Sequence, residues 1–420
     1  MTNEILKFGE DATNILTQAE YDADAQRLIG NQPGIARSKL VNKVLRQCAF
    51  ISNGFAEYLI DRVGGDVLDD DDSAALLAKI QSAFTFDYVN DNYAINGNFD
   101  FWQVNTSVSV TVNNTYTADM FVGQMAGSTA TVARQTAALT EPFNASYFLR
   151  AAVTSSVGIA NFNRLQHRME AVSRLADKEV TISFYAKADS SRNMSIELEQ
   201  HFGAGGSPSA NVDSIGVEKV ALTTSWQKFT KTVTLPSISG KVLGTTQNSS
   251  YLAMNFWFDA GANYDSRTDS LGQQSGTFDI AQLKIELGAV DSNFVLAGKT
   301  LEGELALVQR YYEKSYNIDT AIATATTVGA TCMQNAYSVS ALNVLHVVRY
   351  KVTKRILPTW TSYNPVTGAS GTGRSSAGAD VSVELNSTVM FNAGEGSIPI
   401  SMLLPSAGSG GFQWVADARL

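Results

Sequence analysis

Apolar residues recur at two different spacings along this chain, and the change from one to the other divides it. Up to about residue 90 they return every three or four positions, the period of a helix with one face in a core. From Tyr93 onward they alternate with polar residues, the period of a strand. The first predicted helix opens at Thr17-Gln-Ala-Glu20, where Thr17 and Glu20 can satisfy each other's free backbone donors. Gly30-Asn-Gln-Pro-Gly34 ends it with turn chemistry. A second runs from Ser38 to about Val63, with Leu40, Val44, Cys48, Ile51, Phe55, Leu59 and Val63 in one stripe, and Gly64-Gly65 closes it. The third spans Ser73 to Phe84 on Leu77, Ile80 and Phe84. The aspartates Asp69 to Asp72 just before it admit a metal-site reading, but acidic residues at a helix start are favoured by the helix dipole alone.

In the second regime, Val180 to Ala188, Met194 to Phe202 and Tyr251 to Phe258 alternate cleanly, and Phe229, Val233 and Leu235 keep one face of a further strand apolar. Short alternating runs between Gly, Asn and Ser clusters, with no helix between them, predict an antiparallel β-sandwich of jelly-roll type. Helical spacing returns at Thr300 to Tyr312 through Leu301, Leu305 and Val308. Tyr337 to Thr353 and Val381 to Phe391 then read as strands, and Asn364-Pro-Val-Thr-Gly368 and Gly371-Thr-Gly373 as turns or loop. No fixed-period repeat appears, which disfavours a solenoid or β-helix. The pattern predicts a mainly β chain: a helical region over 1–90, a sandwich over 91–295, a linker helix over 296–314 and a smaller β-domain over 315–420.

Composition narrows the function. A hydrophobic share of 44% supplies packed cores, and with only 17% charged residues the surface is largely Ser, Thr, Asn, Gln and Gly. The net charge of -9 argues against nucleic acid, whose affinity comes from Lys and Arg displacing counterions. The two cysteines, Cys48 and Cys332, sit in apolar neighbourhoods and are expected as buried free thiols. The start shows no basic segment followed by an apolar one, and no apolar run approaches bilayer-spanning length, so cytoplasmic synthesis without membrane insertion is expected.

Catalytic signals are thin. His167, His201 and His346 fall in no metal-ligand spacing, and His346 reads as a packed strand residue. There is no nucleophile elbow and no phosphate-cradling loop, since Gly203-Ala-Gly-Gly206 lies between strands. Glu197 and Glu199 share one strand face about 7 Å apart by strand geometry, a separation open to acid/base work or to two solvated carboxylates. No catalytic residues are assigned. Alternation places Leu252, Met254, Phe256 and Phe258 on the core side of their strand, and Met194, Ile196, Leu198 and Phe202 on the core side of theirs. That leaves Tyr251, Asn255 and Trp257, Glu197, Glu199 and His201, and Tyr185 and Lys187 outward. If these strands share a sheet, their outer face mixes aromatic platforms with carboxylates, an amide and an amine, which is what sugars ask for. The competing reading has Trp257 packed under a loop or a neighbouring subunit, and Trp102 and Trp226 in the core.

These segments also carry a family likeness. Ile95-Asn-Gly-Asn-Phe-Asp-Phe-Trp-Gln103, Tyr116-Thr-Ala-Asp119 and Val132-Ala-Arg-Gln135 resemble the opening of a sandwich found in many phage tail and tail-fibre proteins, itself similar to carbohydrate-binding modules. The resemblance continues through Phe184-Tyr-Ala-Lys-Ala188, Glu199-Gln-His-Phe-Gly203, Ser225-Trp-Gln227, Ser270 to Ile280 and the junction Gln309-Arg-Tyr-Tyr-Glu-Lys314. Ile15 to Tyr21, Gly30 to Gly34, Tyr363 to Gly368 and Ala416 to Leu420 also resemble tail-fibre chains. It implies a structural virion protein of the tail, made in the host cytoplasm, with other tail proteins and host cell-surface polysaccharide as partners. The alternatives are a spacer without ligand and, further off, a polysaccharide depolymerase. Members often carry Asp-Arg-Trp after Thr-Ala, where this chain has Asp119-Met120-Phe121. Their structural calcium would use Asp100, but its late ligand position holds Ala281, and Asp279 reaches it only with a register shift. No metal or cofactor is therefore expected.

The stripe of the second helix predicts self-association, most simply a homotrimer, through Leu40, Val44, Ile51, Phe55 and Leu59. Light scattering at micromolar concentration is expected to give a multiple of the 45.1 kDa chain mass, and a monomer would remove the expectation.

Overall fold

The computed structural model describes residues 14–25, 37–68, 72–88, 91–335, 342–385, 393–404 and 408–420. They form two compact units, 1–90 and 91–420. The predicted turn at Gly30 to Gly34 and the aspartates Asp69 to Asp71 lie outside the described residues.

The first unit contains α1 (Gln18–Ala23), α2 (Ser38–Val63) and α3 (Ser73–Tyr88). The capping box forms as the sequence requires, with the Glu20 backbone N–H donating to the Thr17 hydroxyl and the Thr17 N–H to the Glu20 carboxylate. The stripe on α2 is divided by its surroundings. Leu59 is fully buried in a small core with Ala56, Val67 and Ala83, and Leu40 is buried as well. Val44, Ile51 and Phe55 stay exposed, with Phe50 and Leu45 beside them. Leu40 and Leu59 thus serve this unit's own packing and are not free to pair with a second copy. Cys48 is exposed, as is Cys332 in the second unit, against the expectation of buried thiols; both are free.

The second unit is built on two six-stranded sheets. One runs β1 (Ser107–Val110), β4 (Thr129–Thr136), β5 (Tyr147–Thr154), β12 (Gly276–Leu287), β7 (Glu179–Ala188), β10 (Gln227–Thr234). The other runs β2 (Thr115–Tyr116), β3 (Phe121–Ala126), β6 (Phe162–Glu170), β11 (Tyr251–Ala260), β8 (Arg192–His201), β9 (Val212–Leu222). A single-turn helix, α4 (Asp265–Thr268), lies between β11 and β12 in the chain. All pairings are antiparallel, which lets each sheet turn one apolar face inward and keep the other polar. Core sides follow the alternation: Val180, Ile182 and Phe184 of β7 meet Leu252, Met254, Phe256 and Phe258 of β11. Phe184 and Phe256 touch across the layers edge to face, 5.1 Å between ring centroids.

Two irregularities interrupt this regular sandwich. Register slips in β12 between Ala281 and Lys284, and Gln282 takes a left-handed φ of 50°. This β-bulge frees backbone groups that must be paired elsewhere. The Leu283 N–H donates to the Gly97 carbonyl at 2.9 Å, and the Asn92 amide donates to the Leu283 carbonyl at 3.1 Å. A side chain at Gly97 would place Cβ 2.1 Å from that carbonyl, so only glycine fits. The second irregularity is the segment expected as a linker. α5 (Leu301–Gln309) sends Val308 into the sandwich core together with Tyr311, while β13 (Tyr312–Lys314) is already an edge of the last sheet. Arg310 and the Tyr311 hydroxyl both bind Glu170 of β6, and the Gln103 side chain donates to the Tyr312 carbonyl at 2.9 Å. Residues 296–314 are therefore a joint built into both layers.

The last sheet has eight strands centred on β20 (Ser409–Asp417), which pairs with β13, β14 (Thr331–Gln334), β16 (Thr359–Tyr363) and β17 (Thr372–Ser375). Gly371-Thr-Gly373, read as loop, thus runs into a strand. β18 (Asp380–Leu385), β19 (Ser397–Leu404) and β15 (Leu342–Arg349) complete it. Its core is Ile398, Ile400, Met402, Phe412 and Trp414.

Asp119 marks a cost in this packing. It is buried, one carboxylate oxygen accepts only the Gln103 N–H, and the other has no partner. Burial pushes its pKa up to about 6, against the pull of that N–H and of Arg419. A carboxyl raised on folding contributes stability that is complete below its unfolded pKa, near 3.8, and is lost as pH rises through about 6. The loss is about 3 kcal/mol for a shift of that size. Asp119→Asn removes the titration. The melting-temperature difference between variant and parent should therefore grow in the variant's favour from about pH 4 to about pH 6 and stay constant above. A difference that does not change with pH would contradict the assignment.

Candidate functional site

The residues expected to form one sugar-binding face lie on two. Glu197, Glu199 and His201 on β8 and Tyr251, Asn255 and Trp257 on β11 share a sheet, with Asn255 directly opposite Glu197 and Tyr251 opposite His201. Tyr185 and Lys187 belong to β7, in the other sheet.

The first face is closed. Trp257 and Asn255 are fully buried and Glu197 and Glu199 nearly so, which corrects their reading as outward platforms. The cause is a set of cationic partners. Arg164, Gln166 and Arg168 stand outward from β6, opposite Trp257, Asn255 and Ala253. Arg267 comes over the sheet from α4. It donates to both oxygens of Glu197 at 2.7 and 2.9 Å and to Glu199 at 2.8 Å. Glu197 also accepts from the Trp257 indole at 2.9 Å, the Asn255 amide at 3.0 Å and the Ser214 N–H at 2.9 Å. The Trp257 ring lies between two guanidinium groups, 4.6 Å from Arg164 and 5.2 Å from Arg267, and packs on Phe162, Tyr264 and Leu271. The packed-under-a-loop reading of Trp257 therefore holds. At the far end Tyr251 stacks on His201 at 4.2 Å, with Arg168 5.1 Å from its ring.

Arg267 engages both carboxylates of the pair. Burial raises the Glu199 pKa, but the hydrogen bond with His201 and the charges of Arg164 and Arg267 outweigh it and hold the group well below the usual carboxylate range.

The second face is open. Outward from β7 come Thr181, Ser183, Tyr185 and Lys187, between β12 and β10. Lys187 is committed to structure, 4.7 Å from the Trp226 ring and 3.9 Å from Asp279. Trp226 is half-buried on this outer face, against Phe143 and Phe148. Tyr185 meets Phe143 at 5.4 Å, the planes tilted by 51°. Beside them opens a cleft of about 270 Å³ walled by Pro142, Phe143 and Asn144 on one side and Ser292, Asn293 and Phe294 on the other. The bulge shapes its floor: Gln282 turns outward and its amide donates to the Asn144 carbonyl at 2.8 Å. Buried Lys284 and Glu286 hold the opposite wall, Lys284 donating to the Asn293 carbonyl and Glu286 accepting from the Ser292 N–H. Among the described residues no group hydrogen-bonds the hydroxyls of Ser183 and Tyr185, the carbonyl oxygen of the Gln282 side chain, or the side-chain amides of Asn144 and Asn293.

Sequence reasoning found Tyr185 here and missed Phe143, Ser183, Gln282 and the two asparagines. The bulge had a signal: apolar positions in β12 run Phe278, Ile280 and then Leu283, Ile285, Leu287, a change of parity. The loop residues had none.

The calcium ligands of the resembling family do not assemble. Asp279 is held by both nitrogens of an Arg150 fork at 2.7 and 2.8 Å, and Ala281 packs with Phe143 and Phe148. Asp100 contacts Asn98. Among the described residues no group of three or more His, Cys, Asp or Glu side chains could hold a metal.

Glu197→Ala should cost about 3–5 kcal/mol in chemical denaturation, because it strands Arg267 and the Trp257 indole in a closed network. A loss under about 1 kcal/mol would mean that the network behaves as a surface ion pair.

Neither a protein-family model nor a curated protein matches the sequence. Among solved structures the chain is similar to one described as CBM4, at 15% identity, over 46% of this chain and 99% of that one, with a TM-score of 0.26. It is similar to the family 11 carbohydrate-binding module from Clostridium thermocellum in complex with a β-1,3-1,4-mixed-linked tetrasaccharide, at 11% identity, over 44% and 98%, with a TM-score of 0.26. It is also similar to the enzymatically active domain of bacteriophage CBA120 tailspike protein 4, at 8% identity, over 47% and 21%, with a TM-score of 0.25. Likenesses at these scores carry no functional argument.

Proposed function

We propose that this chain is a non-catalytic structural component of a bacteriophage tail whose β-sandwich holds host-surface glycan. The cleft beside Tyr185 carries the binding part of this reading. It sets the Phe143 and Tyr185 rings beside hydroxyl and amide groups that no described residue hydrogen-bonds, in a concave site. Aromatic rings with solvent-facing hydroxyls and amides around a concave site suit a polyhydroxylated ligand, whose C–H faces stack and whose hydroxyls need polar partners. The non-catalytic part rests on Glu197 and Glu199, both consumed by Arg267.

The virion assignment rests on the motifs of the sandwich and its junction. In it the helical unit joins copies of the chain and other tail proteins through the exposed Val44, Ile51 and Phe55, as a homotrimer. The exposed positions motivate this assembly; the trimer is its simplest closed form.

Tyr185→Ala tests the glycan reading directly. Tyr185 is half-buried on a strand whose core residues are untouched, so the variant should fold and melt near the parent temperature. Its adsorption to host cells or their polysaccharide should fall about tenfold, with no reducing ends released by parent or variant. Unchanged adsorption would favour the spacer role, and released reducing ends would favour a depolymerase.

A further inference from the structure

The charges around the cleft cancel in pairs. Lys228 on its rim donates to Asp291 at 2.7 Å, and that same carboxylate accepts from Thr230 at 3.0 Å. Behind the wall, Lys284 and Glu286 form a buried pair at 2.9 Å. Each of these cations already faces a carboxylate. The groups left without partners among the described residues, the Ser183 and Tyr185 hydroxyls, the Gln282 carbonyl oxygen and the Asn144 and Asn293 amides, are all neutral.

We infer that this cleft takes one uncharged, hexose-sized residue of a saccharide chain and discriminates against acidic sugars; the inference rests on reading the cleft as the glycan site. An anionic sugar entering here would lose hydration and gain no unpaired cation, an exchange that disfavours it. Asp291 stands with Lys228 at the rim, and the chain's net charge of -9 repels a polyanion before contact. A neutral pyranose meets none of these costs. Its C–H face can rest in the corner between Phe143 and Tyr185, whose planes are tilted by 51°. Its hydroxyls both donate and accept, matching a mixed set of amides and hydroxyls better than a carboxylate, which only accepts. About 270 Å³ is room for one pyranose ring inside the cleft, whose open side lets a saccharide chain continue outward.

The test uses the full-length protein on an array of bacterial surface polysaccharides sorted into neutral and acidic members, followed by affinity gel electrophoresis on the binders. Binding is expected on neutral members, changed less than about twofold by raising salt tenfold, because no ion pair forms with the ligand. Tyr185→Ala and the cleft-filling Asn293→Trp, which alters only an exposed loop position, should each weaken it about tenfold. Lys228→Gln should leave it within about twofold. Binding confined to acidic members, or lost in Lys228→Gln, overturns the uncharged class while the glycan reading stands. Neutral binding that survives both Tyr185→Ala and Asn293→Trp overturns the site. Absence of binding to every member overturns the glycan reading itself.

Discussion

A polar group taken out of water must find a partner inside the protein or keep one outside it. That constraint separates the two outer faces of this sandwich. On the β6, β11 and β8 face, each buried carboxylate is met by a guanidinium, an indole or an amide, and Arg267 closes the set from above. Its carboxylates have nothing left over for a ligand. On the β7, β12 and β10 face the bulge at Gln282 breaks the ladder and turns that side chain to the Asn144 loop, and several hydroxyl and amide groups there have no partner among the described residues. The first face stabilises; the second is the one proposed to recognise.

The same constraint explains the joint between the sandwich and the last sheet. A chain leaving one β-layer for another exposes backbone and side-chain polar groups at the crossing. Here Glu170 and Glu313 accept from Arg310 and Lys354, and the Gln103 amide donates to the Tyr312 carbonyl, so residues that read as a linker are fixed in two directions. Arg355 adds donors to the Ala418 and Arg419 carbonyls. Asp119 keeps one oxygen unmatched in this region, and burial raises its pKa.

Much of the fold was legible in the sequence because a strand's period is short and its core side must be apolar. The core residues of β7, β8 and β11 follow from alternation, as does the length of α2. Alternation also names which side chains leave the core, but not what happens to them next. Glu197, Asn255 and Trp257 do leave the core side, and they are buried again by Arg267, from a helix of four residues with no periodic signature. Alternation is silent on which strands share a sheet, and so it leaves Tyr185 with the wrong neighbours. Its true companions, Phe143 and Asn144, come from a loop, where no spacing rule acts. Gln282 is within reach through the parity change in β12, once Ala281 is taken as a bulge position instead of a missing metal ligand.

On the function proposed above, recognition belongs to the face whose cleft polar groups have no partner among the described residues. A crystal structure of the full chain with a neutral oligosaccharide that it binds tests this most directly. The expected result is a sugar ring seated between Phe143 and Tyr185, with hydroxyls on Ser183, Gln282 and Asn144, and the Glu197–Arg267 network unchanged. A sugar seated instead on the β6, β11 and β8 face, with Arg267 displaced and Trp257 uncovered, would contradict it.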